Sequence, residues 1–131
     1  MGCAAALATI RVYEEDRLIE NARKMGTILK DLGAQMQAKH PSVGAVRSIG
    51  LFGIFELIRN RTTRQPMAPF NGASEEMAAL GRFFRENGLY TLVRWNTFYT
   101  NPPLCINEQQ LREAFAIIDK GLEITDKAVT N

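Results

Sequence analysis

Four stretches of the chain repeat apolar residues at three- and four-residue steps, the spacing that places them on one side of a helix. Two of these stretches lie in the first third of the chain, at residues 2–15 and 17–39. The second stops at His40-Pro41, because a residue that precedes proline avoids the helical conformation. The pattern therefore predicts two helices joined by a short turn, with Asp16 as the cap of the second helix.

The two later helices carry clear start signals. Ser74 is a favourable N-cap, and the helix that follows it meets a stop signal at Asn87-Gly88. Asn107 and Gln110 have the spacing of a capping box, so the last helix is predicted to begin there. The residues predicted to face the core are Met77, Leu80, Phe83 and Phe84 in the third helix and Leu111, Ala114, Phe115, Ile118 and Leu122 in the fourth.

The first two helices differ in their apolar surface. The first is apolar nearly all round, and such a helix is normally covered on several sides. We therefore expect the chain to be part of a longer protein whose other residues cover this helix. In the second helix Gly26 and Gly33 interrupt an apolar stripe, and their missing side chains allow a close neighbour. The stripe consists of Leu18, Ala22, Met25, Ile28, Leu29, Leu32 and Met36.

Strand patterns fill the regions between the helices. Residues 43–58 are rich in β-branched and aromatic residues, and Gly50 and Gly53 interrupt them. This region is either a hairpin that turns near Gly50 or one strand with a glycine bulge. Residues 89–93 and 97–100 predict two further short strands.

The element order is helix, helix, strand, strand, helix, strand, strand, helix. This order predicts an α+β fold, in which a small, mainly antiparallel sheet of three to four strands has helices packed on one side. Residues 59–69 are polar and contain proline, so they predict a surface loop long enough to reach a neighbour.

Composition excludes some classes of partner. The length of 131 residues fits one domain with its own core. The formal net charge of +2 provides no basic surface of the kind that nucleic-acid binding requires. No run approaches the roughly 18 apolar residues of a membrane-spanning helix. We therefore expect neither a nucleic acid nor a membrane as a partner.

Few residues in the chain carry catalytic chemistry. His40 is predicted to be a solvent-exposed residue at a helix end, and without a cysteine at ligand spacing it predicts no metal site and no histidine-dependent catalytic site. Cys3 and Cys105 are predicted to be buried free thiols in a reducing cytoplasm rather than a disulfide. Glu56 lies in an apolar strand, where a bond to the backbone or to an arginine is the expected arrangement, and a general acid is the alternative.

Arg94 is the one residue whose position suggests ligand binding. It ends an apolar strand next to Trp95, the only tryptophan, just before a turn. A guanidinium at this position can offer parallel donors to a carboxylate or sulfonate, with the indole fixing its plane. The alternative is a surface arginine that only stacks on Trp95. The lysines all fall on predicted helices among polar neighbours, which does not suit Schiff-base chemistry: Lys24, Lys30, Lys39, Lys120 and Lys127.

Three stretches in this order resemble the C-terminal part of the class III, or omega-type, pyridoxal-phosphate aminotransferases. They begin at Met1, Val46 and Arg94 and read MGCAAALAT with VYEE, VRSIGLFGIFEL, and RWNTFYTNPPLCINEQQL. The resemblance spans nearly the whole chain. The third stretch looks closest to the branch that acts on taurine and other omega-amino acids.

The resemblance implies a fold type I homodimer whose large domain holds the cofactor and lies outside this sequence. Residues 1–40 would be a helical segment that connects to the large domain, and residues 41–131 would be the α+β small domain. Pyridoxal phosphate would be bound by the full-length enzyme and not by this chain, which would be inactive alone. A cytoplasmic location is expected.

The implied reaction transfers an amino group from an omega-amino acid or amine to a keto acid. The small domain would close the active site and bind the acidic group of the substrate. By its place before Pro102-Pro103, Arg94 matches the mobile arginine that many omega-transaminases use for carboxylates. Tyr99 departs from the pattern, because ornithine- and aminobutyrate-type relatives often carry an arginine three residues before the first proline.

Two readings from other classes stand beside this one. The chain could be a free-standing α+β module that binds a small ligand or a partner chain without catalysis. It could also be a cysteine-dependent enzyme that uses Cys105, but the sequence provides no histidine partner for that residue.

Overall fold

The computed structural model describes residues 2–130, and in that range the predicted order of elements is confirmed. The four helices are α1 Gly2–Glu15, α2 Leu18–Lys39, α3 Glu75–Glu86 and α4 Glu108–Asp126. The strands are β1 Val43–Ile49, β2 Phe52–Leu57, β3 Val93–Arg94 and β4 Thr97–Thr100.

The four strands form one antiparallel sheet with the order β1-β2-β4-β3. Strands β1 and β2 form a hairpin in which Ile49 pairs with Phe52. Gly50 lies in its turn with a φ of 54°, a conformation that glycine adopts without strain. The hairpin alternative is therefore confirmed for residues 43–58, and the fold is α+β as predicted.

A cluster of phenylalanines joins one face of the sheet to the helices. Phe55 of β2 and Phe98 of β4 stack with ring centroids 4.5 Å apart. Phe115 of α4 packs on Phe55 at 6.1 Å, and Phe84 of α3 meets the edge of Phe98 at 5.4 Å. All four rings are buried, so this cluster locks the two central strands to the last two helices.

The opposite face of the sheet carries no helix from the described part of the chain. Because residues paired across antiparallel strands share a face, Arg94, Thr97, Glu56 and Ala45 form one row across this open face. The large apolar residues on the open face are Ile49, Phe52, Ile54 and Tyr99. Of these, Ile49 and Phe52 are exposed.

The predicted helix caps of α3 and α4 are confirmed. Ser74 Oγ accepts from the Met77 backbone N–H at 3.3 Å. Asn107 Oδ1 accepts from the Gln110 N–H at 2.9 Å, and the Gln110 side chain accepts from the Asn107 N–H at 3.1 Å, which completes the capping box.

The prediction of close packing at the glycines of α2 is also confirmed. A Cβ atom placed on Gly26 would lie 2.7 Å from the carbonyl carbon of Gly50. A Cβ atom on Gly33 would lie 2.9 Å from Val46 Cγ1. These two positions bring α2 against the first hairpin more closely than any side chain allows.

The start of α2 differs from the prediction. The N-cap is Arg17, in the left-handed conformation with a φ of 50°, and no side chain caps the helix, so Asp16 does not take that role. The Asp16 N–H instead bonds to Val12 O at 3.0 Å, because α1 continues its helical hydrogen bonding into the turn.

The strand predicted at residues 89–93 is shorter than expected. Only Val93 and Arg94 join the ladder with β4. Two residues before Val93, the Thr91 hydroxyl donates to Tyr99 O. A side chain thus takes the place of a backbone N–H, and the regular strand pairing ends.

The loop predicted at residues 59–69 is only partly a surface loop, because Met67 and Ala68 return to the core. The Met67 N–H donates to Leu57 O at 3.0 Å, which ties the end of the loop back to β2.

The prediction that both thiols are buried is wrong. Cys3 and Cys105 are free and exposed. Cys105 lies in a turn that is closed by the Ile106 N–H donating to Pro103 O at 3.0 Å, and its neighbours Leu104 and Ile106 pack against the core.

Helix α1 has no buried residue. Its large apolar side chains, Leu7, Ile10, Val12 and Tyr13, are all exposed. The cover that the sequence predicts for this helix is not provided by residues 2–130.

The prediction for His40 is also wrong, because its side chain is buried. Nδ1 lies 2.6 Å from Asp126 Oδ2, and Nε2 lies 2.8 Å from Asp119 Oδ1. Lys39 Nζ bonds to both oxygens of Asp119 and is the main cause that lowers the pKa of that carboxyl, against the opposing effect of burial. Asp126 Oδ1 also accepts from the Ser42 hydroxyl at 2.6 Å.

The two ring nitrogens of His40 thus each face a carboxyl oxygen from a different aspartate of α4. We call the group of His40, Ser42, Asp119 and Asp126 the histidine cluster. It joins the C-terminal end of α2 to α4.

Candidate anion-binding site

The residue that the sequence singles out, Arg94, lies at the tip of a tight hairpin. Strands β3 and β4 are joined by a two-residue turn, Trp95 and Asn96, and Arg94 pairs with Thr97 across it. The Thr97 hydroxyl donates to Arg94 O at 2.8 Å and closes the turn.

The turn is fastened to the neighbouring strand β2. The Leu57 N–H donates to Asn96 O at 2.7 Å, and the Asn96 side-chain amide donates to Leu57 O at 3.1 Å. Because β2 is a central strand, this pair of hydrogen bonds fixes the hairpin tip to the rigid part of the sheet. Arg94 is therefore presented from a scaffold and not from a free loop.

The Arg94 side chain is exposed and lies on the indole of Trp95. Its Cζ atom is 4.3 Å from the ring centroid. None of the ion pairs among residues 2–130 includes Arg94. A guanidinium without a carboxylate partner keeps its parallel N–H donors available for an anion, and bidentate pairing is the strongest form of such contacts.

The nearest acidic residue in the same row of the open face does not neutralise this charge. Glu56 accepts from Arg47 Nη2 at 3.0 Å, on the side of the sheet away from β3. The expected bond between Glu56 and an arginine is thus confirmed, and Glu56 contributes no free acid to the site.

A groove of about 360 Å³ lies between α3 and the hairpin. Arg82, Arg85 and Trp95 line it, together with Gly81 and Val93. Sequence reasoning missed Arg82 and Arg85. The available signal was their three-residue spacing, which puts both on one flank of α3.

A second groove, of about 610 Å³, lies between residues 89–92, the end of β4 and α4. Its walls are mostly apolar and include Tyr90, Leu92, Pro102, Pro103 and Phe115. A groove with these walls fits apolar contact and offers no acid–base group.

The lysines of the described residues lie away from both grooves. All five lysines are exposed, and none of them lines either groove. Lys39 is already engaged with Asp119. No group of residues in the range 2–130 has the composition of a metal site, and no helix there is long and apolar enough to cross a membrane.

Comparison with known proteins identifies one family. The family model described as aminotransferase class-III matches residues 1–122.

Two curated relatives illustrate the match. The chain is 35% identical over 135 residues to taurine–pyruvate aminotransferase of Bilophila wadsworthia, covering 96% of this chain and 28% of the relative. It is 30% identical over 125 residues to a probable 4-aminobutyrate aminotransferase of Bacillus subtilis, covering 93% of this chain and 27% of the relative. The chain thus spans little more than a quarter of these relatives.

A solved structure shares the fold. The taurine:2-oxoglutarate aminotransferase of Bifidobacterium kashiwanohense, in complex with PLP and glutamate, superposes with a TM-score of 0.90 and 32% identity. The match covers 98% of this chain and 29% of that one.

Proposed function

Since this chain belongs to the class-III aminotransferases, we propose that it is the C-terminal small domain of a PLP-dependent enzyme that transfers an amino group from an omega-amino acid or amine to a keto acid. The family match over residues 1–122 carries this proposal. The relatives at 30–35% identity are aminotransferases several times longer, which fits a domain that works within a larger enzyme.

We propose that residues 1–40 connect to a large domain and that residues 41–131 are the small domain. The bare apolar surface of α1 supports the first part, because a large domain would cover it. The open sheet face, with Ile49 and Phe52 exposed, is a second surface that suits such a neighbour.

The cofactor would be held by residues outside this chain. PLP is bound in the taurine:2-oxoglutarate aminotransferase structure, whereas no lysine of this chain lines either of the two grooves. We further propose a homodimer in the cytoplasm, where free exposed thiols such as Cys3 and Cys105 stay reduced.

Arg94 is proposed to bind the acidic end of the amino donor. Taurine and 4-aminobutyrate, named in the relatives, carry an amine at one end and a sulfonate or carboxylate at the other. An unpaired guanidinium on a fixed turn suits both anions, because each offers two oxygens to parallel N–H donors.

Arg94→Ala in the full-length enzyme should raise the KM for acidic amino donors by about 10- to 100-fold, the range expected for a charge-assisted hydrogen bond worth about 1.5–3 kcal/mol. The KM for neutral amines should change little. Steady-state kinetics with taurine, 4-aminobutyrate and a neutral primary amine measure the difference. Arg112→Ala, an exposed arginine on α4 paired with Glu108, is the matched control. An equal loss for acidic and neutral donors would remove Arg94 from this role.

The chain alone should not form a lysine-bound cofactor. Titration with equimolar PLP should leave the absorbance spectrum of the free aldehyde unchanged, because the five lysines are exposed and none has a pocket. The full-length enzyme should show the shifted band of the bound cofactor. A stoichiometric shifted band from the chain alone would contradict the assignment of the cofactor to the large domain.

A further inference from the structure

Trp95 has a backbone conformation that its residue type disfavours. Its φ is 53°, in the left-handed region, at the first central position of the β3–β4 turn. Glycine or asparagine normally takes such a position in a two-residue hairpin, because a Cβ atom crowds the backbone there. A bulky aromatic residue at this φ is an outlier, and outliers of this kind concentrate at functional sites.

The hydrogen bonds around the turn hold this conformation in place. The Thr97 hydroxyl closes the turn on Arg94 O, and Asn96 is bonded twice to Leu57. These contacts use backbone groups and the side chains of residues 96 and 97, and none of them uses the indole of Trp95. The turn itself therefore does not require a tryptophan.

The indole instead makes two contacts with side chains. Arg94 Cζ lies 4.3 Å from its centroid, and the ring of Phe70 lies 4.4 Å from it at an angle of 53°. Phe70 comes from the loop before α3 and is 76% exposed, so ordinary burial in the core does not account for its position. We call Trp95 and Phe70 together the aromatic shelf.

A free arginine side chain has many rotamers, and binding an anion requires that it lose them. Stacking on an indole restricts the guanidinium to one plane and leaves its N–H edge outward. Part of the ordering cost is then met before the ligand arrives, which strengthens binding without a new contact to the ligand.

We propose that Trp95 and Phe70 are positioning residues, whose aromatic shelf holds the Arg94 guanidinium ready for the sulfonate or carboxylate of the amino donor. This inference rests on the role of Arg94 in the proposed function. It adds that the selectivity for acidic over neutral donors depends on the shelf as well as on the charge.

The test compares three substitutions in the full-length enzyme by the ratio of kcat/KM for taurine to kcat/KM for a neutral amine. Trp95→Gly keeps a residue suited to the φ of the turn and removes the indole, and we expect the ratio to fall about three- to tenfold. Trp95→Phe keeps a ring and should retain most of the ratio. Phe70→Ala should lower it less than Trp95→Gly does. Arg17→Gly, which also replaces an exposed residue at a positive φ of 50° and lies outside the shelf and both grooves, is the control and should leave the ratio unchanged.

A double-mutant cycle separates positioning from direct contact. If the shelf acts through the guanidinium, Trp95→Gly should have no further effect on the ratio in an Arg94→Ala background. A full effect there would overturn the inference, and so would a normal ratio for Trp95→Gly in the presence of Arg94. If Arg94→Ala itself leaves the ratio unchanged, the proposed role of Arg94 fails, a result distinct from failure of the shelf alone.

Discussion

Asp126→Ala should lower the free energy of unfolding by about 3 kcal/mol, because each buried donor left without an acceptor costs about 1–3 kcal/mol. The substitution leaves Nδ1 of His40, the Ser42 N–H and the Ser42 hydroxyl without the carboxylate that accepts from them. The His40 side chain is only 2% exposed, so its Nδ1 lies inside the protein, where a lost hydrogen-bond partner is costly. Urea unfolding of the chain, followed by circular dichroism, measures the change.

Two further variants test the cause. Asp31→Ala removes an exposed aspartate of α2 that makes no ion pair among the described residues, and it should stay within about 0.5 kcal/mol of the unchanged chain. The double variant His40→Leu with Asp126→Ala removes the imidazole together with the carboxylate that it contacts. It should be less destabilised than the sum of the two single variants. Additive losses would mean that the two residues do not act as a pair.

Gly26→Ala should destabilise the chain by about 3 kcal/mol, at the upper end of the usual cost of overpacking. An added Cβ atom would lie 2.7 Å from the carbonyl carbon and Cα of Gly50 and 2.8 Å from its oxygen. These are backbone atoms of a turn, so no side chain can rotate out of the way. Helix α2 would have to move off the first hairpin, which breaks core contacts along its length. Thermal unfolding of the two chains gives the difference.

Gly2→Ala supplies the matched control, because it is the same substitution in a helix with nothing within 4 Å of the new atom. There the better helix propensity of alanine should give no loss, or a gain of up to about 1 kcal/mol. If Gly26→Ala also proved neutral, the close contact between Gly26 and Gly50 would not be a constraint on the fold.

Both predictions concern the frame that supports the Arg94 hairpin. The histidine cluster joins α2 to α4, and Gly26 joins α2 to the β1–β2 hairpin. Strand β2 of that hairpin holds Asn96 through Leu57. A site that must present a guanidinium in one orientation benefits from such a frame, because small displacements weaken bidentate hydrogen bonds.

The sequence predicted best where a few neighbouring residues decide the structure. The capping box of Asn107 and Gln110 appears with both of its hydrogen bonds. The glycines of α2 predict close approach, which the structure confirms, but the sequence does not indicate that the first hairpin is the neighbour. Arg94 and Trp95 were recognised together because they are adjacent in the chain.

Other features of the site could not be read from the sequence. Phe70 lies 25 positions before Trp95, and nothing in its local pattern separates it from an ordinary loop residue. The bonds of Asn96 to Leu57 connect residues 39 positions apart. The positive φ of Trp95 is opposite to what its residue type predicts, because the surrounding hydrogen bonds outweigh the local preference.

Local sequence signals are enough to predict the four helices, the α+β class and the resemblance to class III aminotransferases, and they leave residues 43–58 as either a hairpin or a bulged strand. The packing of distant segments is what buries His40 between Asp119 and Asp126, exposes both thiols and brings Phe70 to the shelf under Arg94. The difference lies in how far apart in the sequence the interacting residues are. Caps, periodicity and turn residues act within a few positions, whereas burial and ion pairing depend on which distant segments the packed core brings together.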